Sequence, residues 1–373
     1  MRAPMTVRRH EAMISARAIS YYKRHERRIT SGAIILGFVI DNLTLTRVDL
    51  WFDNLVLISY LLVAALAIVA VHVRETGFFA RRFFRAVRRV APAVMQFAFG
   101  GLFSGFIVFY MRSASLSTSA LFVVFLVLLL WGNEVLRKKY LRMSFQFTVF
   151  FIAIFSFFIF FVPTLLGVLG APVFLLSGIV SLAAARAFFL LLRKIHPERV
   201  AESARLMFGG VASVFVLMNF FYVANIIPPI PLALKDAGVF HRVERIEGGA
   251  YRVVEEEKMP WEFVVPFPDV HIAPGEDVFV YSAVFAPTDL NTDILHQWQY
   301  YDAAEGKWVT TDMLRFPVFG GRDGGYRGYT TKKNLTEGRW RVNIITPRKQ
   351  ILGRVGFDVV FGETRGLVSR EVF

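Results

Sequence analysis

Seven apolar runs divide residues 31–227, and every second connection between them is basic. The runs are 31–46, 55–73, 92–111, 116–132, 144–166, 171–192 and 208–227. They run from 16 to 23 residues, close to the length a helix needs to cross roughly 30 Å of hydrocarbon. The first is the weakest, because Asp41 and Asn42 interrupt it. None alternates with period two, so membrane strands are excluded. Basic clusters stand before the first run (Lys23, Arg24, Arg27 and Arg28 among them), after the second (Arg81, Arg82, Arg85, Arg88 and Arg89), after the fourth (Arg137, Lys138, Lys139 and Arg142) and after the sixth (Arg193, Lys194, Arg199 and Arg205). The connections between them hold Arg47 with Asp49 and Asp53, then Arg112 alone, then no charge. The positive-inside rule reads this alternation as seven spans with a cytoplasmic N-terminus. Everything after Ile227 then lies outside. The first run has no small-residue cleavage site and reads as a retained signal anchor.

The charge follows the same division. Of 43 Lys and Arg, 25 lie up to residue 230, with 9 of the 29 Asp and Glu. The excess behind the net +14 therefore belongs entirely to the membrane half. A basic chain raises nucleic acid as a partner, but this distribution is that of a topology signal, so no nucleic-acid partner is expected. There is no Cys, which excludes disulfides, thiolate metal sites and thiol catalysis.

The composition changes at Ile226-Ile227-Pro228-Pro229-Ile230-Pro231, where prolines end the last helix. Residues 228–238 read as a proline-rich linker, and 1–30 as a basic cytoplasmic segment. Beyond the linker come short strand-like runs: 240–243 and 251–254 around Glu247-Gly248-Gly249, then 278–285, 295–301, 307–311, 325–331, 340–346 and 351–361. Gly, Asp and Pro separate them. The expected fold class is a membrane all-α helical bundle followed, over 239–373, by an all-β, immunoglobulin-like antiparallel sandwich. Trp261, Trp298, Trp308 and Trp340 are candidates for its core.

Residues 296–360 carry His-x-Trp (His296, Trp298), then Arg327, Tyr329, Thr330 and Lys332, then Gly-x-Trp-x-Val (Gly338, Trp340, Val342). This pattern resembles the C-terminal domain catalogued as domain of unknown function 2914. Thr330 stands where Ser is commoner, and Gly353 follows Leu352 where the family more often has Gly first. The resemblance implies a multispan bacterial inner-membrane protein with such a domain, and no reaction.

Three groups of side chains are candidate sites. His296 and Trp298 share one face of a strand. With Arg327, Tyr329, Lys332 and Trp340 they form a candidate face for a periplasmic protein or an anionic glycan; the competing reading places the tryptophans in the core. Arg81, Arg82, Arg85, Arg88 and Arg89 lie opposite a phenylalanine-rich face of one helix, as lipid-headgroup contacts at an anionic cytoplasmic surface do. Asp41, Asn219 and Asn225 are candidate intramembrane polar groups, against a bland reading as an interfacial carboxylate and interhelical hydrogen bonds. Gly101-x-x-x-Gly105 permits close helix packing. Asp289 to Asp293 opens like a calcium loop, but Ile294 and Tyr300 stand where Gly and Glu are needed. No paired histidine spacing for a metal, no phosphate cradle and no serine elbow around Ser282 or Ser369 is present, so no cofactor or metal is implied. A binding or assembly module is the leading reading. A small transporter or lipid-handling protein, and a membrane-embedded enzyme acting on lipid or cell wall, are the alternatives.

Overall fold

The computed structural model describes residues 38–45, 50–72, 82–112, 116–135, 142–229, 231–257, 265–287, 290–322 and 324–372. Seven helices are found among them: α1 (38–44), α2 (Trp51–His72), α3 (Arg82–Arg112), α4 (Leu116–Val135), α5 (Met143–Leu166), α6 (Ala171–Ile195) and α7 (Pro197–Val223). Eleven strands follow: β1 (Ala233–Phe240), β2 (Arg242–Arg245), β3 (Tyr251–Glu256), β4 (Asp269–Ile272), β5 (Val278–Phe285), β6 (Asn291–Asp302), β7 (Lys307–Phe319), β8 (Tyr326–Lys332), β9 (Gly338–Ile345), β10 (Ile351–Phe361) and β11 (Leu367–Val372). Five helices are long and apolar enough to cross a membrane: α2, α3 from Val90 onward, α5, α6 and α7. In α4 the apolar part is shorter, Ala120–Gly132. Of the expected first span, residues 31–37 and 46 lie outside the described residues.

The helix ends differ from the apolar runs. Helices α3 and α7 start well before residues 92 and 208, because a charged helical turn costs nothing beyond the hydrocarbon. Pro197 opens α7, with its fixed φ and missing N–H suited to a first turn. The helix also stops at Val223, short of Ile227. Asn225 takes a left-handed φ of 54°. The Ile226 N–H donates to Phe221 O at 2.8 Å and the Asn225 N–H to Tyr222 O at 3.2 Å. This is a Schellman cap, in which Asn substitutes for the usual Gly.

The central helix is α5, whose phenylalanines pack in several directions. Phe155 meets Phe174 of α6 and Phe215 of α7, while Phe160 meets Phe106 and Phe109 of α3. Gly101 and Gly105 let α3 approach α2: a Cβ at Gly101 would lie 2.7 Å from the Tyr60 ring, and one at Gly105 2.9 Å from Leu57.

The strands form three sheets, ordered β4-β10-β9-β6-β7, β1-β5-β8 and β11-β3-β2. The first two face each other. Trp298, Trp340, Val342 and Phe357 of the five-stranded sheet pack on Val278 and Val280 of β5. The third sheet covers the far side of β5, where Val243, Val253 and Val372 pack on Tyr281 and Ala283. The expectation of a two-sheet, wholly antiparallel sandwich is corrected at three points. The third sheet is additional, β4 pairs with β10 in parallel, and β1 begins at Ala233 inside the expected linker. Strand β1 forms because its backbone pairs with β5 from Ala233–Phe285 to Phe240–Phe279. The sheet domain sits against one end of the bundle. Leu169, between α5 and α6, packs on its core, and the Gln350 amide donates to Ile227 O at 3.2 Å.

Candidate functional site

Period-two alternation in β6 sends His296 and Trp298 inward and Gln297 outward. Inside, three strands meet in one hydrogen-bonded chain. His296 Nε2 lies 2.8 Å from Ser282 Oγ of β5, and His296 Nδ1 lies 2.8 Å from Thr330 Oγ1 of β8. The Trp298 Nε1–H donates to the same Thr330 hydroxyl at 3.1 Å. A Ser–His pair suggests nucleophilic catalysis, but here the third member is a hydroxyl instead of a carboxylate, and Ser282 and His296 are wholly buried. Burial pushes the His296 pKa down to about 3, so the imidazole is neutral at physiological pH. The network therefore ties the two facing sheets together and has no access for a substrate. Sequence reading set His296, Trp298 and Thr330 in one pattern but missed the network, because Ser282 lies outside that pattern and the pairing depends on how the two sheets face each other.

The outer face of the five-stranded sheet is different. Strand register sets Gln297 opposite Asn343 and Gln299 opposite Arg341, while Arg354 lies opposite Asn343 from the other side. The Asn343 amide donates to Gln297 Oε1 and to Gln299 Oε1, each at 3.0 Å. The Arg341 Nε–H donates to Gln299 Oε1 at 2.7 Å, and the Arg354 Nε–H to Asn343 Oδ1 at 2.7 Å. Both guanidinium groups are thus oriented through Nε by amide oxygens. Neither forms an ion pair with a carboxylate among the described residues. Arg341 also lies 4.0 Å over the Trp308 ring, next to Phe267 and Tyr301. Burial, and then the Arg354 charge beside it, bring the Arg341 pKa down to about 10, and burial lowers that of Arg354. Both remain charged at neutral pH. This arrangement can receive a carboxylate or phosphate by charge-assisted, bidentate hydrogen bonds.

The candidate face read from the sequence is dispersed, which corrects that expectation. His296, Trp298 and Trp340 are buried, with Trp298 at 0% and Trp340 at 3% exposure, because the covered side of the sheet is the one they occupy. Arg327 and Tyr329 point the opposite way from Thr330, toward the third sheet: Arg327 donates to Gly249 O at 3.3 Å, and the Tyr329 ring meets that of Tyr251. Lys332 is ion-paired with Asp312. Of the interfacial arginines, Arg81 and the side chains of Arg82, Arg85 and Arg89 lie outside the described residues, and Arg88 is exposed. Asp41 is nearly buried, with Ser104 and Tyr60 as polar neighbours. The Asn219 amide donates to Phe215 O of its own helix at 2.7 Å, and Asn225 is the cap of α7. These three polar groups are not brought together.

Two further clusters went unread. At the bundle end away from the sheets, Arg199 Nη1 donates to His72 Nδ1 at 2.9 Å, so His72 Nε2–H donates to Gln146 Oε1 at 2.9 Å, and His196 packs edge-on to the His72 ring. In the sheet domain Glu256 lies between His271, at 3.0 Å, and His241, at 3.4 Å. No group of three or more His, Asp or Glu arranged to hold a metal ion is found among the described residues.

The outer-face residues fall within one matched stretch. Residues 291–359 match the family described as Protein of unknown function (DUF2914). The DUF2914 match runs from the start of β6 into β10, so it includes Gln297, Gln299, Asn343, Arg341 and Arg354 and leaves the bundle outside it. No curated protein matches the chain. Among solved structures, a β-glucosidase from Listeria innocua in complex with isofagomine aligns over 31% of this chain and 17% of its own, at 12% identity and a TM-score of 0.18. The chain thus spans under a fifth of that enzyme's length. The Pseudomonas fluorescens alkylpurine DNA glycosylase AlkC, bound to DNA containing an abasic site analog, aligns over 84% of this chain and 99% of its own, at 11% identity and a TM-score of 0.22. At such scores neither likeness bears on fold or activity.

Proposed function

We propose that the chain is an integral protein of the bacterial inner membrane that crosses the bilayer seven times, with a cytoplasmic N-terminus, and presents an immunoglobulin-like sandwich to the periplasm as a binding or assembly module. Five apolar helices, the alternation of basic connections and the C-terminal DUF2914 match support this reading. In it, residues 31–227 form the membrane domain, and the basic segment of Arg81 to Arg89 meets anionic headgroups on the cytoplasmic side. The observation that carries the binding role is the Arg341–Arg354 pair. Two like charges held side by side, without a carboxylate between them, weaken a sheet face unless a ligand supplies the negative charge. The ligand is therefore anionic, and we take it to be a carboxylate on a glycan or on a protein segment.

The test uses the full chain in detergent micelles, titrated calorimetrically with oligogalacturonate and separately with polyglutamate. The reading expects salt-sensitive binding of at least one of them, weakened about ten-fold or more by Arg341→Gln with Arg354→Gln. Equal affinity in the double variant, or no binding of either probe at low salt, contradicts it.

A further inference from the structure

A partly open cavity of about 140 Å³ lies where the bundle meets the sheet domain. Its walls combine apolar helix ends with a polar hairpin. Pro163 of α5, Phe174 of α6 and Tyr222 of α7 line one side, and Thr346, Arg348 and Gln350 of the β9–β10 turn line the other. The turn is tight. Lys349 N–H donates to Thr346 O at 2.8 Å, Thr346 N–H donates to Gln350 O at 2.9 Å, and Lys349 takes a left-handed φ of 63°. The Gln350 amide holds the hairpin to the segment leaving α7.

Three groups stack across this junction. The Phe174 and Tyr222 rings are parallel, with centroids 3.7 Å apart. The Arg348 guanidinium lies 3.8 Å over Tyr222, necessarily on its other face. The stack fixes the arginine without neutralising it. No ion pair to Arg348 is found among the described residues, and burial alone lowers its pKa, with no carboxylate contributing. The Tyr222 hydroxyl is buried and has no hydrogen-bond partner among the described residues. Arg348 and Tyr222 thus line one small space, and the unsatisfied hydroxyl that Tyr222 carries is costly unless something fills that role.

The surroundings indicate what the occupant is. The α5–α6 connection beside the cavity carries no charge, and among the described residues the cavity's one charged lining residue is Arg348 of the hairpin, with Lys349 next to it. Next to the cavity the surface is apolar and exposed: Leu165 at 70%, Val168 at 52% and Val223 at 75%. The cavity takes a phosphate and its glycerol carbons, while chains attached to them have an apolar surface to follow. We propose that this junction binds the phosphate headgroup of an anionic phospholipid from the leaflet on the sheet-domain side, with Arg348 and the Tyr222 hydroxyl as donors. Such a lipid would join the two halves of the molecule. The proposal rests on the bundle spanning a membrane, which retention of the chain in carbonate-washed membranes tests by itself. It does not depend on the ligand of the outer sheet face.

The experiment is native mass spectrometry of the full chain, stripped of lipid in detergent and titrated with phosphatidylglycerol or phosphatidylcholine. The wild type retains a phosphatidylglycerol adduct in preference to phosphatidylcholine, whose own ammonium offsets its phosphate. Arg348→Gln weakens the adduct about ten-fold, and Tyr222→Phe, which keeps the stack and removes only the hydroxyl, about three-fold. Lys307→Gln, at the exposed β6–β7 turn and in neither site, leaves it unchanged. Wild-type retention by both Arg348→Gln and Tyr222→Phe overturns the proposal. So does displacement of the lipid by millimolar inorganic phosphate, which would mark a site for free anions.

Discussion

The bundle and the sheet domain bury apolar side chains equally well but differ in what they expose. On the helices, Leu62, Leu66, Phe97 and Leu121 are each more than half exposed. On the outer face of the five-stranded sheet, Gln297, Thr310, Arg339 and Arg354 face out, with Met313 beside Gln297 an apolar exception at 43% exposure. Polar groups are also satisfied differently. In the bundle, Thr148, Ser177 and Asn219 are satisfied within their own helices, by carbonyls one turn earlier. In the sheet domain polar groups form ladders across strands. The same chain is thus built for two solvents: a bundle whose outside matches hydrocarbon, and a domain whose outside matches water.

That contrast can be broken most forcefully from inside the sheet domain. Trp298→Ala removes its largest fully buried ring and one donor to Thr330. The expected loss is about 3–5 kcal/mol of that domain's stability. Near-ultraviolet circular dichroism of the detergent-solubilised chain should show it melting early, with the helical signal at its wild-type midpoint. Co-melting of the helices would mean the halves are one cooperative unit.

A smaller effect separates the two surfaces. Leu66→Arg places a charge on an exposed helix position and should cost about 2.5–3.5 kcal/mol of membrane insertion, visible as a fall in the membrane fraction. Leu367→Arg, at 53% exposure on β11, should change stability by no more than about 0.5 kcal/mol. Equal tolerance at both positions would remove the difference in solvent.

The pH response is graded. In the folded chain His296 resists protonation until about pH 3, whereas the unfolded imidazole takes a proton near 6.5. The unfolded state therefore binds more protons between those values. The sheet domain keeps its full stability above about pH 6.5 and loses up to about 1.4 kcal/mol per unit as the pH falls toward 3. His296→Gln should flatten this slope in denaturant titrations at successive pH values. An unchanged slope would assign the acid sensitivity to other groups.

The helices were legible because twenty apolar residues in a row leave a chain few options, and the register of charge between them is a one-dimensional signal. Their ends were less so, since α3 and α7 continue into charged turns that no hydropathy window includes. In the sheet domain, β5, β6, β9 and β10 could be read from their β-branched and aromatic residues. Strands β1, β4 and β11 could not, because Lys235-Asp236-Ala237-Gly238 and similar stretches become strands only through their partners. The candidate site was half visible. Alternation showed that His296 and Trp298 share a face, but which face is covered depends on a second sheet. The arginine pair needed the register of β9 against β10, which brings Arg341 and Arg354 together across a thirteen-residue separation. The Tyr222–Arg348 stack spans two halves of the chain and has no local signature.

In the proposed topology, the sheet domain and the α6–α7 connection lie on opposite sides of a membrane. The chain has no cysteine, so single cysteines report position directly. Ala304→Cys, in the exposed β6–β7 turn, and Ala201→Cys, exposed near the start of α7, can be treated with a membrane-impermeant maleimide in cells whose outer membrane alone has been permeabilised. The account predicts that Ala304→Cys is labelled in intact spheroplasts and Ala201→Cys only after lysis. Labelling of both before lysis, or of Ala201→Cys alone, would contradict it.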